Sequence, residues 1–143
     1  MSGELILGYD GQEGSEAALR TATSIAAAFG RPIVIVFGYR PAPIGGDVTD
    51  LARAVRSLGD KITSAAVDAV HGLDPSVTVQ VELVDDRPAE AILRAADEHD
   101  ALAIVVGSAG RGPLTGALLG SVTYNVVHRS TRPVVVVPAP ATN

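Results

Sequence analysis

The chain alternates between short apolar segments and longer segments in which apolar residues recur every three or four positions. The first pattern predicts buried strands and the second predicts amphipathic helices. The predicted strands are residues 4–9, 32–39, 77–83, 101–106 and 132–138. Strands and helices alternate from end to end, which is typical of a parallel sheet covered by helices on both faces. We predict an α/β fold with a doubly wound, five-stranded parallel sheet in the strand order 3-2-1-4-5.

The helical segments carry start and stop signals. Ser15 is the predicted N-cap of the first helix, Gly30 ends that helix, and Pro88 suits the first turn of the third. The second helix is predicted to begin at Asp47. The first helix has a stripe of Leu19, Ala22, Ile25, Ala26 and Phe29. The second helix has a stripe of Leu51, Val55, Leu58, Ile62, Ala66 and Val70. Both stripes are expected to face the sheet.

Two strands are expected at the edges of the sheet. Residues 77–83 alternate between apolar and polar side chains, which favours a position at or near an edge. The last strand contains Val134, Val135, Val136 and Val137. An open edge of this kind invites pairing with another chain, so we predict a homodimer that pairs this strand with its copy across a two-fold axis. The alternative is that helices and the Pro-rich tail cover the edge.

Composition narrows the class of protein. The 143 residues suit a single domain over 1–143, and 47% apolar residues are enough to build a core. The net charge of −5, the lack of a basic run and an aromatic content of 3% argue against nucleic-acid binding. The absence of Cys excludes disulfides and thiolate chemistry. With no secretory signal and no apolar run of the ~20 residues that a membrane span needs, we expect a soluble cytoplasmic protein without membrane contacts.

Residues 107–121 form a glycine-rich loop between the fourth strand and the fourth helix. Such a loop leaves backbone N–H groups open to an anion, and the helix N-terminus behind it adds a favourable dipole. The loop contains neither Gly-Lys-Ser/Thr nor Gly-x-Gly-x-x-Gly, which excludes the two commonest phosphate-binding motifs. A flexible connector is the alternative, although a long ordered loop in a small domain is more often functional.

The strand order brings this loop to a second feature. Asp10 ends the first strand and Gly107 ends the fourth. In the predicted order these strands are neighbours where the winding of the sheet reverses, and sheets of this class bind ligands beyond the carboxyl ends of their strands at that point. The alternative is that Asp10 only stabilises an Asp-Gly turn. Its pairing with the glycine loop favours a role in ligand binding.

The glycine spacing resembles the signature of one family. Gly107, Gly110, Gly120 and Ser121 form Gly-x2-Gly-x9-Gly-Ser, which is similar to the signature of the ATP-binding branch of the universal stress protein family. The resemblance covers almost the whole chain and includes Asp10 and the closing run of valines. It also includes the start of the third helix, Pro88-Ala89-x-x-Ile92. It implies an adenine nucleotide alpha-hydrolase-like fold, bound ATP with Mg²⁺, and the same homodimer.

The resemblance assigns the sugar and phosphate contacts. Asp10 would accept hydrogen bonds from the ribose hydroxyls, and Gly107 and Gly110 would let the backbone approach the ribose and the α-phosphate. The residues expected at the β- and γ-phosphates are Gly120, Ser121, Val122 and Thr123. The hydroxyls of Ser121 and Thr123 would donate to phosphate, or Ser121 would instead cap the fourth helix.

The resemblance also locates the adenine. The residues expected near the base are Gly8, Tyr9, Asp10, Phe37 and Gly38. Many family members have His-Val where this chain has Phe37 and Gly38, so a looser adenine pocket is expected. Val106, which precedes the loop, and Arg111 within it complete the candidate site. Arg111 would either reach a phosphate or remain an exposed side chain.

The turn before the third helix departs from the family pattern. Asp85, Asp86 and Arg87 occupy a turn where the family often has Gly. Two adjacent carboxylates near a nucleotide could bind a divalent ion or simply face water. We predict solvated turn residues, because carboxylates are mostly exposed, and we assign no protein ligand to a metal.

The sequence shows no catalytic constellation. Ser108 is not part of a nucleophile elbow, because position 106 is Val rather than Gly. His71, His99 and His128 each lie near a predicted helix C-terminus, where a cation is favoured, and their spacing does not suit zinc. Helix capping is therefore the expected role of all three histidines.

These observations lead to one main hypothesis and several alternatives. The main hypothesis is an ATP-dependent regulator of the stress response with little or no turnover and an unknown protein partner. The alternatives are a slow ATPase or adenylyl-transfer enzyme, a scaffold that holds no nucleotide, and a site for AMP or cyclic AMP instead of ATP.

Overall fold

A computed structural model of the chain describes residues 3–40, 48–108 and 119–139. Within these ranges it contains five strands and four helices. The strands are β1 (Leu5–Gly8), β2 (Ile33–Gly38), β3 (Val79–Val84), β4 (Ala103–Gly107) and β5 (Val134–Val137). The helices are α1 (Glu13–Phe29), α2 (Val48–Leu73), α3 (Pro88–Glu98) and α4 (Ser121–Arg129). All strand pairs are parallel, and the order β3-β2-β1-β4-β5 confirms the predicted doubly wound fold.

The central strand separates two apolar layers. Leu5 and Leu7 of β1 point towards the layer that contains α1 and α2, whereas Ile6 points towards the layer that contains α3 and α4. All three side chains are completely buried. The register aligns Leu7 with Ile35 of β2 and Val105 of β4, so that apolar residues continue across the sheet. A strand buried on both faces needs such a continuous apolar run.

Local signals set most of the helix ends. Gly30 adopts a left-handed conformation with φ of 64° and ends α1, as predicted. Pro88 is in the first turn of α3, as predicted. The N-cap prediction for Ser15 is wrong, because Gln12 is the N-cap and α1 begins at Glu13. Ser15 is instead buried inside the first turn.

The predicted apolar stripes are only partly buried. Phe29 at the end of α1 is 65% exposed, and Leu51 and Leu58 of α2 are 40% and 52% exposed. Helices of 17 and 26 residues are about 25 and 39 Å long, whereas strands of four to six residues span only about 13–20 Å. The helices therefore extend beyond the sheet, and the described part of the chain leaves these apolar residues exposed.

Both edge predictions are confirmed. β3 forms one edge of the sheet and β5 forms the other. Val81 in the middle of β3 is 38% exposed, as expected for an edge strand. Among the described residues, no helix is both long and apolar enough to cross a bilayer.

Candidate functional site

The winding of the sheet reverses between β1 and β4. The chain proceeds from β1 to β2 and β3 on one side and then returns to β4 and β5 on the other. The carboxyl ends of β1 and β4 lie next to each other, and the helices that follow both strands begin there. A doubly wound sheet offers its ligand crevice at this position. The structure thus brings Asp10 and Gly107 to one edge, as predicted.

Two hydrogen bonds join the start of α4 to the end of β4. The amide of Gly120 donates to the carbonyl oxygen of Ser108 at 2.9 Å. The hydroxyl of Thr123 donates to the carbonyl oxygen of Gly107 at 2.6 Å, and Thr123 is only 4% exposed. These bonds bring together the two ends of the glycine-rich loop. Gly110 and Arg111 belong to residues 109–118, which lie outside the described ranges.

The start of α4 presents unpaired backbone donors. Gly120 is the N-cap, and the first intrahelical bond runs from the amide of Tyr124 to the carbonyl of Gly120 at 2.8 Å. The amides of Ser121, Val122 and Thr123 precede this bond and have no acceptor within the described part of the chain. Three adjacent N–H groups at the positive end of a helix dipole are suited to an anion. Because Gly120 is the N-cap, the capping role considered for Ser121 is wrong.

Asp10 is held in the turn that precedes α1. Its Oδ1 atom accepts hydrogen bonds from the amide of Gln12 and the hydroxyl of Ser15, both at 2.9 Å. Gly11 has a φ of 81°, a conformation that favours glycine at this turn. The Asp-Gly turn considered from the sequence is therefore present. Oδ2 of Asp10 has no hydrogen-bond partner among the residues that the structure describes, so it remains available to a ligand.

Tyr9 contributes a neutral phenol beside this turn. Burial is the main reason that its pKa is raised, and the nearby carboxylates of Glu16 and Asp10 raise it further. Its ring packs against the layer that contains α1 and α2. Tyr9 therefore stays uncharged at neutral pH, with its ring on the core side of the strand end.

The end of β2 offers backbone groups rather than side chains. The ring of Phe37 lies against α2, where a methyl group on Gly59 would come within 2.9 Å of it. The amide of Tyr9 donates to the carbonyl of Val36 at 3.1 Å, and the amide of Tyr39 donates to β3. Alternate residues of a strand direct their backbone groups to opposite neighbours. Gly38 therefore directs its backbone groups towards the β1 side of the sheet, two residues beyond Val36.

Two glycines at the strand ends also have packing roles. A methyl group on Gly8 would lie 2.6 Å from the Ile92 side chain, and one on Gly107 would lie 2.6 Å from the carbonyl oxygen of Gly14 in α1. These glycines allow α3 and α1 to approach the sheet closely. Val106 is 3% exposed and packs in the layer of α3 and α4, so only its backbone reaches the crevice edge.

The solvated-turn prediction is wrong for Asp86. Its side chain is 9% exposed, accepts a hydrogen bond from the amide of Arg87 at 2.8 Å and pairs with Arg94 and Arg40. Asp85 does face water, with 67% of its side chain exposed. The buried carboxylate is surrounded by cationic side chains, which leaves no support for a divalent ion at this turn. Capping does not explain this burial, because Arg87 is the N-cap of α3, and no sequence signal pointed to the arginine partners.

The histidines lie at helix ends, as predicted, and one has a further role. His71 and His128 are in the last turns of α2 and α4. His99 is the C-cap of α3, where its amide donates to the carbonyl of Ala95 at 3.0 Å. Its ring also contacts Glu82 at 2.5 Å and Glu4 at 3.5 Å. Within the described ranges, no group of three His, Cys, Asp or Glu side chains is arranged to hold a metal.

A small depression at the other end of the strands, where α3 and α4 end, does not resemble a phosphate site. It has a volume of about 170 Å³, and Asp97, Arg129 and Arg132 are among its lining residues. Both arginines are already paired with carboxylates, and α3 and α4 end here with their negative dipole ends. The carboxyl edge between β1 and β4 is therefore the better candidate for a ligand.

The fold defines a doubly wound α/β protein whose sheet reverses between β1 and β4, the position at which proteins of this class bind ligands. The family model for the universal stress protein family matches residues 1–138. The chain therefore belongs to the universal stress protein family, as the glycine spacing predicted.

Relatives with similar sequences or structures carry the same family name. A universal stress protein of Thermus aquaticus is 32% identical over 136 residues, with 93% of this chain and 96% of that protein covered. Several mycobacterial relatives are longer: the chain is 32% identical to one from Mycobacterium tuberculosis but spans only 44% of its length.

Two solved structures of the family contain adenine nucleotides. One universal stress protein in complex with cAMP is 28% identical, has a TM-score of 0.76 and covers 98% of this chain and 100% of its own. The Archaeoglobus fulgidus protein in complex with dAMP is 22% identical, has a TM-score of 0.71 and covers 96% and 98%. The second likeness bears on the fold alone.

Proposed function

We propose that this protein binds an adenine nucleotide, with ATP as the expected ligand, in the crevice between β1 and β4. One observation carries the proposal. The bonds from Gly120 to Ser108 and from Thr123 to Gly107 hold three unpaired amides of α4 at the same sheet edge as the free carboxylate oxygen of Asp10. Backbone amides donate hydrogen bonds to phosphate oxygens, and a carboxylate accepts them from sugar hydroxyls. A single ligand that carries both phosphate and sugar would therefore bind to both groups at this edge.

The contacts divide along the nucleotide. The phosphates would lie on the amides of Ser121, Val122 and Thr123. Thr123 would contribute only its amide, because its hydroxyl hydrogen already bonds Gly107. The ribose would meet Asp10, and the adenine would lie beside the backbone of Gly38. The roles of Gly110 and Arg111 stay as predicted from the sequence.

Two further considerations favour this ligand class. A family member that is 28% identical was crystallised in complex with cAMP. Its match covers 98% of this chain, and therefore both halves of the proposed crevice. The choice among ATP, AMP and cyclic AMP depends on how many phosphates the glycine-rich loop accepts.

Mg²⁺ would accompany ATP rather than occupy a site built by the protein. The described residues form no cluster of three metal-ligating side chains. Mg²⁺ commonly keeps several waters and binds mainly to substrate phosphates, with one or two carboxylates. We assign Oδ2 of Asp10 to the sugar and no protein ligand to the ion.

We further propose that nucleotide occupancy, rather than rapid turnover, is the signal. The only Lys of the chain is Lys61 in α2, so the lysine clamp typical of fast phosphoryl transfer is lacking. Slow hydrolysis or adenylyl transfer is the competing function. A turnover assay separates the two, because hydrolysis well above background that disappears with the site variant below would favour the enzyme.

Release of bound nucleotide tests the main proposal. Freshly purified protein is denatured, and the supernatant is analysed for adenine nucleotides; titration calorimetry with ATP, AMP and cyclic AMP follows. The site variant is Gly120→Val, which crowds the amides at the start of α4. It is expected to weaken ATP binding at least about tenfold, as the loss of a charge-assisted hydrogen bond would.

Gly72→Val is the matched control. Gly72 lies in α2, and a side chain added there would meet open space. This variant should bind ATP like the wild type. If the wild type releases no nucleotide and binds none of the three, the proposal is wrong and the scaffold alternative gains support.

A further inference from the structure

Ser15 is a buried hydroxyl that the nucleotide contacts do not use directly. It is 7% exposed and occupies the third position of α1. Its Oγ donates to Oδ1 of Asp10 at 2.9 Å and lies 3.0 Å from the carbonyl oxygen of Gln12. The amide of Asp10 approaches the same Oγ at 3.4 Å. Ser15 therefore contacts both the backbone and the side chain of Asp10.

These contacts restrict the carboxylate of Asp10. A carboxylate oxygen has two lone pairs, and Oδ1 uses both: one for the amide of Gln12 and one for Ser15. With Oδ1 held from two directions, the carboxyl group cannot exchange its two oxygens by rotation without breaking both bonds. Oδ2 is left with both of its lone pairs available at the crevice.

We propose that Ser15 is a positioning residue that makes this site selective for ribonucleotides over 2′-deoxyribonucleotides. This inference rests on the proposed nucleotide function. The 2′- and 3′-hydroxyls of ribose each donate one hydrogen bond, and a single oxygen with two free lone pairs accepts both. A 2′-deoxy sugar makes only one of these two bonds to the carboxylate, so it loses one hydrogen bond to a charged group.

A purely structural role for Ser15 makes a different prediction. Its hydroxyl also contacts the carbonyl of Gln12, so its loss will lower the stability of α1 to some degree. A general loss of stability would change the affinities for ATP and 2′-deoxyATP by the same factor. A positioning role changes the ratio of the two affinities, because only ATP uses both acceptor positions of Oδ2.

The experiment compares the dissociation constants of ATP and 2′-deoxyATP by calorimetry. The wild type is expected to prefer ATP about tenfold or more, as for one hydrogen bond to a charged group. In Ser15→Ala the preference should fall towards one, with ATP affinity reduced more than that of 2′-deoxyATP. Ser15→Cys keeps the size of the side chain with a weaker donor, so its preference should be intermediate. It also serves as the test should Ser15→Ala not fold.

Ser24→Ala is the matched control in the same helix. Its hydroxyl donates to the carbonyl of Arg20 on the exposed side of α1, away from Asp10. It should retain the wild-type preference. A wild type that binds ATP and 2′-deoxyATP equally, or a Ser15→Ala variant that keeps the full preference, overturns the inference while leaving nucleotide binding intact. A wild type that binds neither nucleotide overturns the proposed function itself.

Discussion

The hydroxyl of Thr123 donates a hydrogen bond to the carbonyl oxygen of Gly107 at 2.6 Å across 16 positions of the chain. This bond joins the first turn of α4 to the last residue of β4. It therefore orients the three unpaired amides of α4 relative to the sheet edge where Asp10 lies. Nucleotide affinity should depend on this bond even though the Thr123 side chain is buried.

Thr123→Val tests this dependence. Valine has nearly the same shape but cannot donate, so the carbonyl of Gly107 loses a partner at a cost of about 1–3 kcal/mol in the free energy of unfolding. ATP affinity should fall as well, because only the bond from Gly120 to Ser108 then joins α4 to the end of β4. Urea unfolding and calorimetry measure the two effects.

Thr63→Val is the control for the loss of a buried hydroxyl. Thr63 is 2% exposed and donates to the carbonyl of Gly59 inside α2. The Thr63→Val variant should be less stable than the wild type but should bind ATP with the same affinity. Equal ATP affinity in Thr123→Val and wild type would show that the bond does not orient the phosphate-binding amides.

A homodimer through β5 stays a prediction, and the pairing of β5 with β4 indicates which backbone groups would mediate it. The carbonyls of Pro133 and Val137 accept hydrogen bonds from β4, at 2.9 Å each. By alternation, Val135 also faces β4, whereas Val134 and Val136 direct their backbone groups to the open edge. Val136→Pro should therefore remove an outward N–H and shift the protein from dimer to monomer in analytical ultracentrifugation.

Val135→Pro is the matched comparison, because it removes an inward N–H. It should lower the thermal midpoint more than Val136→Pro does, since proline is tolerated in a strand only where its missing N–H faces away from the ladder. A wild type that sediments as a monomer, or a Val136→Pro variant that stays dimeric, contradicts pairing through this strand.

Asp86 and Asp85 are adjacent, identical in type and opposite in environment. Asp86 accepts from the amide of Arg87 and pairs with Arg94, whereas Asp85 is mostly exposed. Asp86→Ala should lower the free energy of unfolding by about 2 kcal/mol, because it removes a charged acceptor from a buried turn. Asp85→Ala should change it by no more than about 0.5 kcal/mol. Equal effects in urea unfolding would contradict the assignment.

The interactions of the His99 ring predict that the stability of the protein depends on pH. Its hydrogen bond to Glu82 is the main reason that its pKa is raised, with further contributions from the charges of Glu82, Glu4 and Glu98. A raised pKa means that the stabilisation is fully present below the unfolded value of about 6.5 and is lost as the pH rises through the folded value. The advantage of wild type over His99→Gln should therefore be of the order of 1 kcal/mol at pH 5.5 and smaller at pH 8.5.

Urea unfolding of both proteins at the two pH values measures this difference. An advantage of the wild type that grows with pH would be the wrong sign for a histidine whose pKa is raised.

The order of elements followed from sequence patterns. Alternating strand and helix periods led to the doubly wound sheet, and the strand order places Asp10 and Gly107 at one edge of it. The fold prediction succeeds because periodicity reports local geometry, and parallel crossovers leave few topologies. The ligand site at that edge stays a prediction. The spacing of the glycines then indicated the family, which the match over residues 1–138 confirmed.

Only the tertiary structure showed which individual side chains are buried and which groups they contact. Phe29 carries the correct period yet is exposed, because α1 is longer than the sheet it covers. Asp86 is a carboxylate yet is buried, because Arg94 and Arg40 reach it.

The local sequence alone thus determined the class of fold and the edge strands, and it located the strand ends to within one or two residues. The tertiary structure decided which of those residues meet: Ser15 with Asp10 across a turn, and Thr123 with Gly107 across the glycine-rich loop. The physical reason is that periodicity and turn chemistry depend on neighbours in the chain. Hydrogen-bond partners and burial depend instead on how far helices extend over the sheet and how closely they approach it.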